Sequence, residues 1–327
     1  MRKRPKGNGK PKMMKYTSKF QNHIEKIKLI KMNSLLMLTL VGCINHPAEI
    51  QDAPVNEEFN TYWYQGKAEI TSYKLEQARY GEIHQGHAVL IFVTEDFSKK
   101  KHVKLDNPSA AGSDAVKVLK LNTSKKFTTG IYPYSMMNSV FTPIDLKQHP
   151  NSLKTTSSSQ EWCGHTFTQL DLTEKGYDVQ LHSYFESEGE QTMQLPKALL
   201  EDEIWTLIRI NPASLPTGSI QIIPGGMAQR LTHQKFEAEK ATAALSEEEG
   251  QAIYELKYEE SGRVLKIYFN KAFPYEITAW EETRKSGWGE NAKTLTTKAV
   301  KNKTLNIDYW RKNKLKDIVL RKELGLE

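Results

Sequence analysis

From residue 67 onward the chain alternates apolar and polar residues at a period of two, in short runs broken by Gly, Ser, Asn and Glu. This is the pattern of antiparallel strands with one buried and one wet face. Residues 67–75 and 87–93 flank Gly81 and Gly86; residues 116–121 precede residues 127–134; residues 177–185 end in the turn-like Ser187-Glu188-Gly189-Glu190. The clearest hairpin spans residues 253–269. There Tyr254, Leu256 and Tyr258 alternate with Glu255 and Lys257, Glu260-Ser261-Gly262-Arg263 turns, and Leu265, Ile267 and Phe269 return. Ala272-Phe273-Pro274-Tyr275 then interrupts the pattern, and residues 276–282 and 295–309 resume it. The proline marks an edge or a bend.

Helical spacing is confined to residues 57–63, 195–210, 238–245 and the last few residues. In the longest, Leu199, Leu200, Ile204, Leu207 and Ile208 form one apolar stripe that suits packing on a sheet. The expected fold is therefore mainly β: a curved antiparallel sheet, barrel or half-barrel-like, with a few covering helices. It occupies residues 61–327 as one large domain or two β subdomains.

The start of the chain is different. Leu35, Leu36, Met37 and Leu38 follow Lys26, Lys28 and Lys31 and lead to Leu40-Val41-Gly42-Cys43, the layout of a lipoprotein signal ending in a lipobox. Residues 1–42 are read as the signal with an extended basic leader, in which Met13, Met14 or Met32 offers another start; Cys43 is the acylated residue, and residues 43–60 are a polar tether. This changes the charge reading. The whole chain is +7, but residues 1–42 carry eleven Lys/Arg against one acid, Glu25, which leaves 35 basic and 38 acidic residues beyond them, a charge of −3. A nucleic-acid partner is not expected. The partners expected are a membrane, through acylated Cys43, and an amphipathic ligand or an envelope protein; the expected location is the cell envelope, on the periplasmic side of the outer membrane.

The densest cluster of reactive side chains lies in Ser157-Ser158-Ser159-Gln160-Glu161-Trp162-Cys163-Gly164-His165. In an extended strand Glu161, Cys163 and His165 share a face, which allows a nucleophilic Cys163 with His165 as base and Glu161 orienting it. The same segment is also read as a packed strand with a buried thiol. His84 and His87 are candidate metal ligands if a turn brings them together, with His165 and His182 as further imidazoles. Ile222-Ile223-Pro224-Gly225-Gly226 lacks the spacing of a phosphate loop, and no cofactor is expected. Aromatic clusters at Tyr62-Trp63-Tyr64, Tyr132-Pro133-Tyr134, Phe273-Pro274-Tyr275, Trp280, Trp288 and Tyr309-Trp310 offer rigid rings for a groove.

In order, the segments 73–82 (YKLEQARYGE), 92–97 (FVTEDF), 129–135 (TGIYPYS), 160–165 (QEWCGH) and 321–326 (RKELGL) resemble an uncharacterised Bacteroidetes-type lipoprotein family. Its members often bear the label "septum formation inhibitor Maf". This sequence lacks the signature of true Maf nucleotide pyrophosphatases, so the resemblance implies an exported β-rich lipoprotein and carries no catalytic role. The function expected is non-catalytic binding of an amphipathic ligand or envelope partner. The alternatives are a cysteine-dependent hydrolase or transferase through Cys163 and His165, and metal binding through histidines.

Overall fold

A computed structural model describes residues 57–326. The leader 1–42, Cys43 and most of the tether lie outside the described residues. A short helix α1 (Glu57–Trp63) leads into strands β1 (Ala68–Arg79), β2 (Glu82–Ser98) and β3 (Val103–Lys104). Helix α2 (Pro108–Ala111) precedes β4 (Ala115–Thr129), β5 (Tyr132–Pro143), β6 (Lys154–Glu161), β7 (Gly164–Leu172), β8 (Tyr177–Ser183), β9 (Glu190–Leu195) and β10 (Leu199–Leu200). Helix α3 (Glu201–Ile210), β11 (Gly218–Ile223) and helix α4 (Gly226–Thr232) follow. The chain ends with β12 (Glu239–Glu248), β13 (Gln251–Tyr258), β14 (Val264–Asn270), β15 (Ile277–Ser286), β16 (Lys293–Ile307) and helix α5 (Val319–Glu323).

All sixteen strands of the described residues belong to one open, curved sheet, so the mainly β expectation holds. Its order runs β10-β11-β12-β13-β14-β15-β16-β1-β2-β4-β5-β6-β7-β8-β9, with β3 beside β2. Pairing is antiparallel except between β10 and β11. The first and last strands, β1 and β16, lie side by side in the middle, and the two edges are β9 and β10, joined through Pro196. Side chains bring these edges together: Leu170, Tyr177, Val179 and Leu195 pack with Leu200 and Ile223.

Several local readings change. The segment 238–245 is not helical: from Glu239 it is strand β12, because neighbours on both sides claim its backbone groups; Ala241 and Ala243 then face the core. Alanine's helix preference is worth only a fraction of a kcal/mol per residue and yields to that pairing. The long helix begins at Glu201, since Leu195 closes β9 and Leu199–Leu200 pair with Ile222–Ile223. Residues 115–129 are one strand, with the turn at Gly130-Ile131. Gly86 sits inside β2, not in a turn, where a β-carbon would collide with Lys126 and Phe127 of β4. Pro274 lies at a bend between two interior strands.

Helix α3 runs within the concave face. Its Ile204, Leu207, Ile208 and Ile210 join one core with Tyr73, Leu75, Leu90, Phe92, Leu121, Met136, Leu256, Ile267 and Trp280, which come from strands on both sides of the β1/β16 centre. Both ends of the helix are tied by buried ion pairs. At its first turn Glu201 accepts from Arg263 (Nη2 to Oε1 2.7 Å) and from the Tyr258 hydroxyl; at its last turn Arg209 donates both terminal nitrogens to Glu69 at 2.6 Å. An acid at the N-terminus and a base at the C-terminus also match the helix dipole. Among the described residues, no helix is long and apolar enough to cross a membrane.

Candidate ligand-binding site

Antiparallel pairing sorts the turns to two ends of the sheet. Tyr80-Gly81, Gly130-Ile131, Trp162-Cys163, residues 184–189, 259–263 and 287–292 share one end with helix α4. Four of these turns carry a large exposed apolar side chain: Ile131 (80 %), Trp162 (67 %), Tyr184 (67 %) and Trp288 (66 %). Exposed hydrophobics scattered singly need no explanation, but a row of them on adjacent turns does.

The rings form a chain along this end. Trp288 lies 5.4 Å from Tyr80, the Tyr132 hydroxyl donates to that of Tyr80 at 3.1 Å, Tyr132 lies 6.5 Å from Trp162, and Tyr184 packs over Gly164. Tyr80 is the hub, its hydroxyl also 2.6 Å from that of Tyr134. It occupies the first position of the β1–β2 turn with φ 55°, followed by Gly81 at φ 79°. A tyrosine in that left-handed region costs about 1–2 kcal/mol, which its ring and hydroxyl contacts offset.

Beneath the rings the inward face turns from apolar to charged. On β1 the inward series Tyr73, Leu75, Gln77 ends in Arg79; on β14 Leu265 and Ile267 are preceded by Arg263; on β15 Trp280 is followed by Glu282 and Arg284; on β4 Leu121 and Thr123 are followed by Lys125. Arg263 bridges Glu201 and Glu282, its Nε donating to Glu282 at 2.8 Å. Burial acts against the Glu282 charge, but Arg263, Arg284 and Lys125 outweigh it and hold the carboxyl at about 2. Asp202 accepts from the neighbouring Gly226 N–H at 3.2 Å and from the Asn138 side chain, but burial, reinforced by Glu201, outweighs these and Arg263 and pushes it up to about 7. Burial lowers the Lys125 ammonium, which lies 5.8 Å over the Trp280 ring. These groups line a cavity of about 40 Å³, room for a little water.

A larger pocket of about 260 Å³ opens at the same end, lined by Arg79, Tyr80, His233, Arg263, Arg284 and Trp288 among others. Helix α4 forms its other wall; the Arg79 Nη1 donates to the Leu231 carbonyl at 2.5 Å, and His233 caps the helix at φ 56°.

The sequence-derived candidates fall at or near this end without forming one constellation. Trp162 and Cys163 are the two turn residues between β6 and β7, so Glu161, Cys163 and His165 do not lie on a continuous strand, and the packed-thiol alternative also fails because Cys163 is exposed. Glu161 accepts from the Cys163 N–H at 2.9 Å, and its carboxylate raises the thiol above the ordinary cysteine value, the reverse of nucleophile activation. His165 is exposed and stands across from Gln160. His84 and His87 are both on β2, three residues apart, and the His84 ring engages the Arg79 carbonyl at 3.1 Å. Among the described residues no group of three or more His, Cys, Asp or Glu is placed to hold a metal ion. His182 on β8 pairs with Glu190.

No protein-family model matches the chain, and no curated protein matches it. Among solved structures it is similar to a β-barrel-like protein of a domain of unknown function, DUF1849, from Brucella abortus, at 9 % identity and TM-score 0.43 over 73 % of this chain and 97 % of that one. It is also similar to a porin-like protein from Bacteroides uniformis, at 8 % identity and TM-score 0.19 over 72 % and 95 % of the two chains.

Proposed function

We propose that this protein is a non-catalytic lipoprotein of the cell envelope, held by acylated Cys43, that binds an amphipathic ligand at the α4 end of its sheet. One observation carries the reading: Tyr80 and the exposed Trp288 rim a pocket whose depth holds Arg79, Arg263 and Arg284, and further rings run from Tyr80 through Tyr132 to the exposed Trp162 on the same end of the sheet. Rigid rings bury apolar area at small entropic cost, and a few placed polar groups orient what they hold. The raised Cys163 thiol gives no support to a cysteine nucleophile.

The test uses 12-bromododecanoate, a bromine-tailed amphiphile, as a quencher of tryptophan fluorescence in the full chain below its micellar concentration. Saturable quenching is expected, reduced at least twofold in the Trp162→Phe/Trp288→Phe variant. Linear quenching that never saturates, the same in both proteins, would overturn the reading.

A further inference from the structure

We infer that the α4-end pocket is an oxyanion seat, in which Arg79 and Arg284 hold the carboxylate or phosphate head of an amphiphile whose tail lies along Tyr80 and Trp288. The inference rests on the proposed ligand site and specifies what enters it.

Arg79 is the main observation. It is 4 % exposed, and among the described residues its guanidinium has no carboxylate partner. Its Nη1 donates to the Leu231 carbonyl, its Nη2 reaches the Tyr80 hydroxyl only at 3.5 Å, and its Nε is buried with no partner. The cation otherwise rests on rings, 4.4 Å from the centre of Tyr80 and 5.6 Å from that of Tyr134, whose hydroxyl it also engages; none of these partners is an anion. A buried charge without a counter-ion is expensive, and a guanidinium has five donors to satisfy.

The other cationic groups of the pocket differ in what they have left to give. Arg263 is fully engaged by Glu201 and Glu282. Arg284 is not: its Nε lies 3.4 Å from Glu282, and its terminal nitrogens make long contacts of 3.3 and 3.4 Å to the carbonyls of Ala78 and Lys285. Lys285 stands exposed on the rim, and no Asp or Glu is among the lining residues. Burial lowers Arg284; Glu282 acts against this, and the charges of Arg79 and Arg263 lower it further. The pocket thus concentrates positive charge that the protein leaves partly unbalanced.

An oxyanion meets each requirement. Planar guanidinium groups match carboxylate and phosphate oxygens, and charge-assisted bonds are the stronger kind. A cationic head has no acid in the lining to meet, and a neutral sugar would leave Arg79 uncompensated. The volume of about 260 Å³ takes a head group and the start of a tail, which puts the remainder against the rings at the rim.

The test is calorimetric titration of the full chain at fixed pH and ionic strength with dodecyl phosphate, dodecanoate, inorganic phosphate and dodecyl maltoside, each below its micellar concentration. Both anionic amphiphiles are expected to bind at least tenfold more tightly than dodecyl maltoside and to weaken as salt rises. Arg79→Gln should lose at least tenfold for the anions and keep its affinity for the maltoside. Lys285→Glu, at an exposed position that leaves folding intact, should weaken the anions several-fold. Inorganic phosphate binding as tightly as dodecyl phosphate would uphold the oxyanion seat and overturn the tail. Maltoside binding as tightly as the anions would overturn the seat and leave the amphiphile reading standing. No binding of any probe would overturn both.

Discussion

Replacing Asp202 with Asn should flatten the pH dependence of stability above pH 5. Asp202 follows Glu201 at the start of α3, and burial pushes its carboxyl from about 3.8 up to about 7. The folded protein therefore keeps this proton through a range in which the unfolded chain has released it. Where the folded state binds more protons, stability falls as pH rises, so the loss begins near pH 4 and levels off above pH 7. The penalty from this one group is about 1.5 kcal/mol at pH 5 and about 4 kcal/mol at pH 8. The difference of about 2.5 kcal/mol corresponds to roughly 5 °C in Tm for a domain of this size. Thermal melts of the full chain and of Asp202→Asn at pH 5 and pH 8 isolate the group by subtraction, since titrating histidines contribute equally to both. The amide oxygen can still accept from Gly226, so the variant should fold and lose most of the fall between the two pH values. Parallel pH profiles for the two proteins would refute the argument.

Other outcomes follow from the same interior. Arg209→Met leaves Glu69 buried and unpaired and should cost about 3–5 kcal/mol in urea unfolding, whereas Glu69→Gln/Arg209→Met together should recover much of it. Glu282, held at about 2, stabilises the fold above its unfolded value of about 4.5; that stability should drain as pH falls from 4.5 toward 2, and Glu282→Gln should remove this dependence when melts are compared. Trp288→Ala touches an exposed ring, so stability should change by less than about 0.5 kcal/mol while amphiphile affinity drops several-fold in titration.

Much of the sheet is legible in the period-two alternation, because burial of one face demands it. The hairpin at 253–269 and the return at 276–282 are found in β13, β14 and β15. What pairing decides is less legible: residues 238–245 look helical alone and become β12 only between two partners. Helix α4 gave no periodic signal in a seven-residue segment that opens on Gly226. The site was visible only as breaks in parity. Arg79, Lys125, Arg263, Glu282 and Arg284 occupy positions that alternation reserves for apolar side chains, and such breaks carry more information than the Cys163 cluster, whose strand reading failed at a two-residue turn. That these charges converge, and that the Arg79 guanidinium makes no ion pair, depends on curvature that brings β1, β4, β14 and β15 around α3, which no local pattern encodes.

The most direct test of the central claim is where the ligand sits. Hydrogen–deuterium exchange of the full chain with and without saturating dodecyl phosphate should show added protection at residues 79–83, 130–132, 230–234 and 284–288, with the opposite turns, such as residues 271–276, unchanged. Protection confined to that opposite end, or none at all under saturating ligand, would contradict the account.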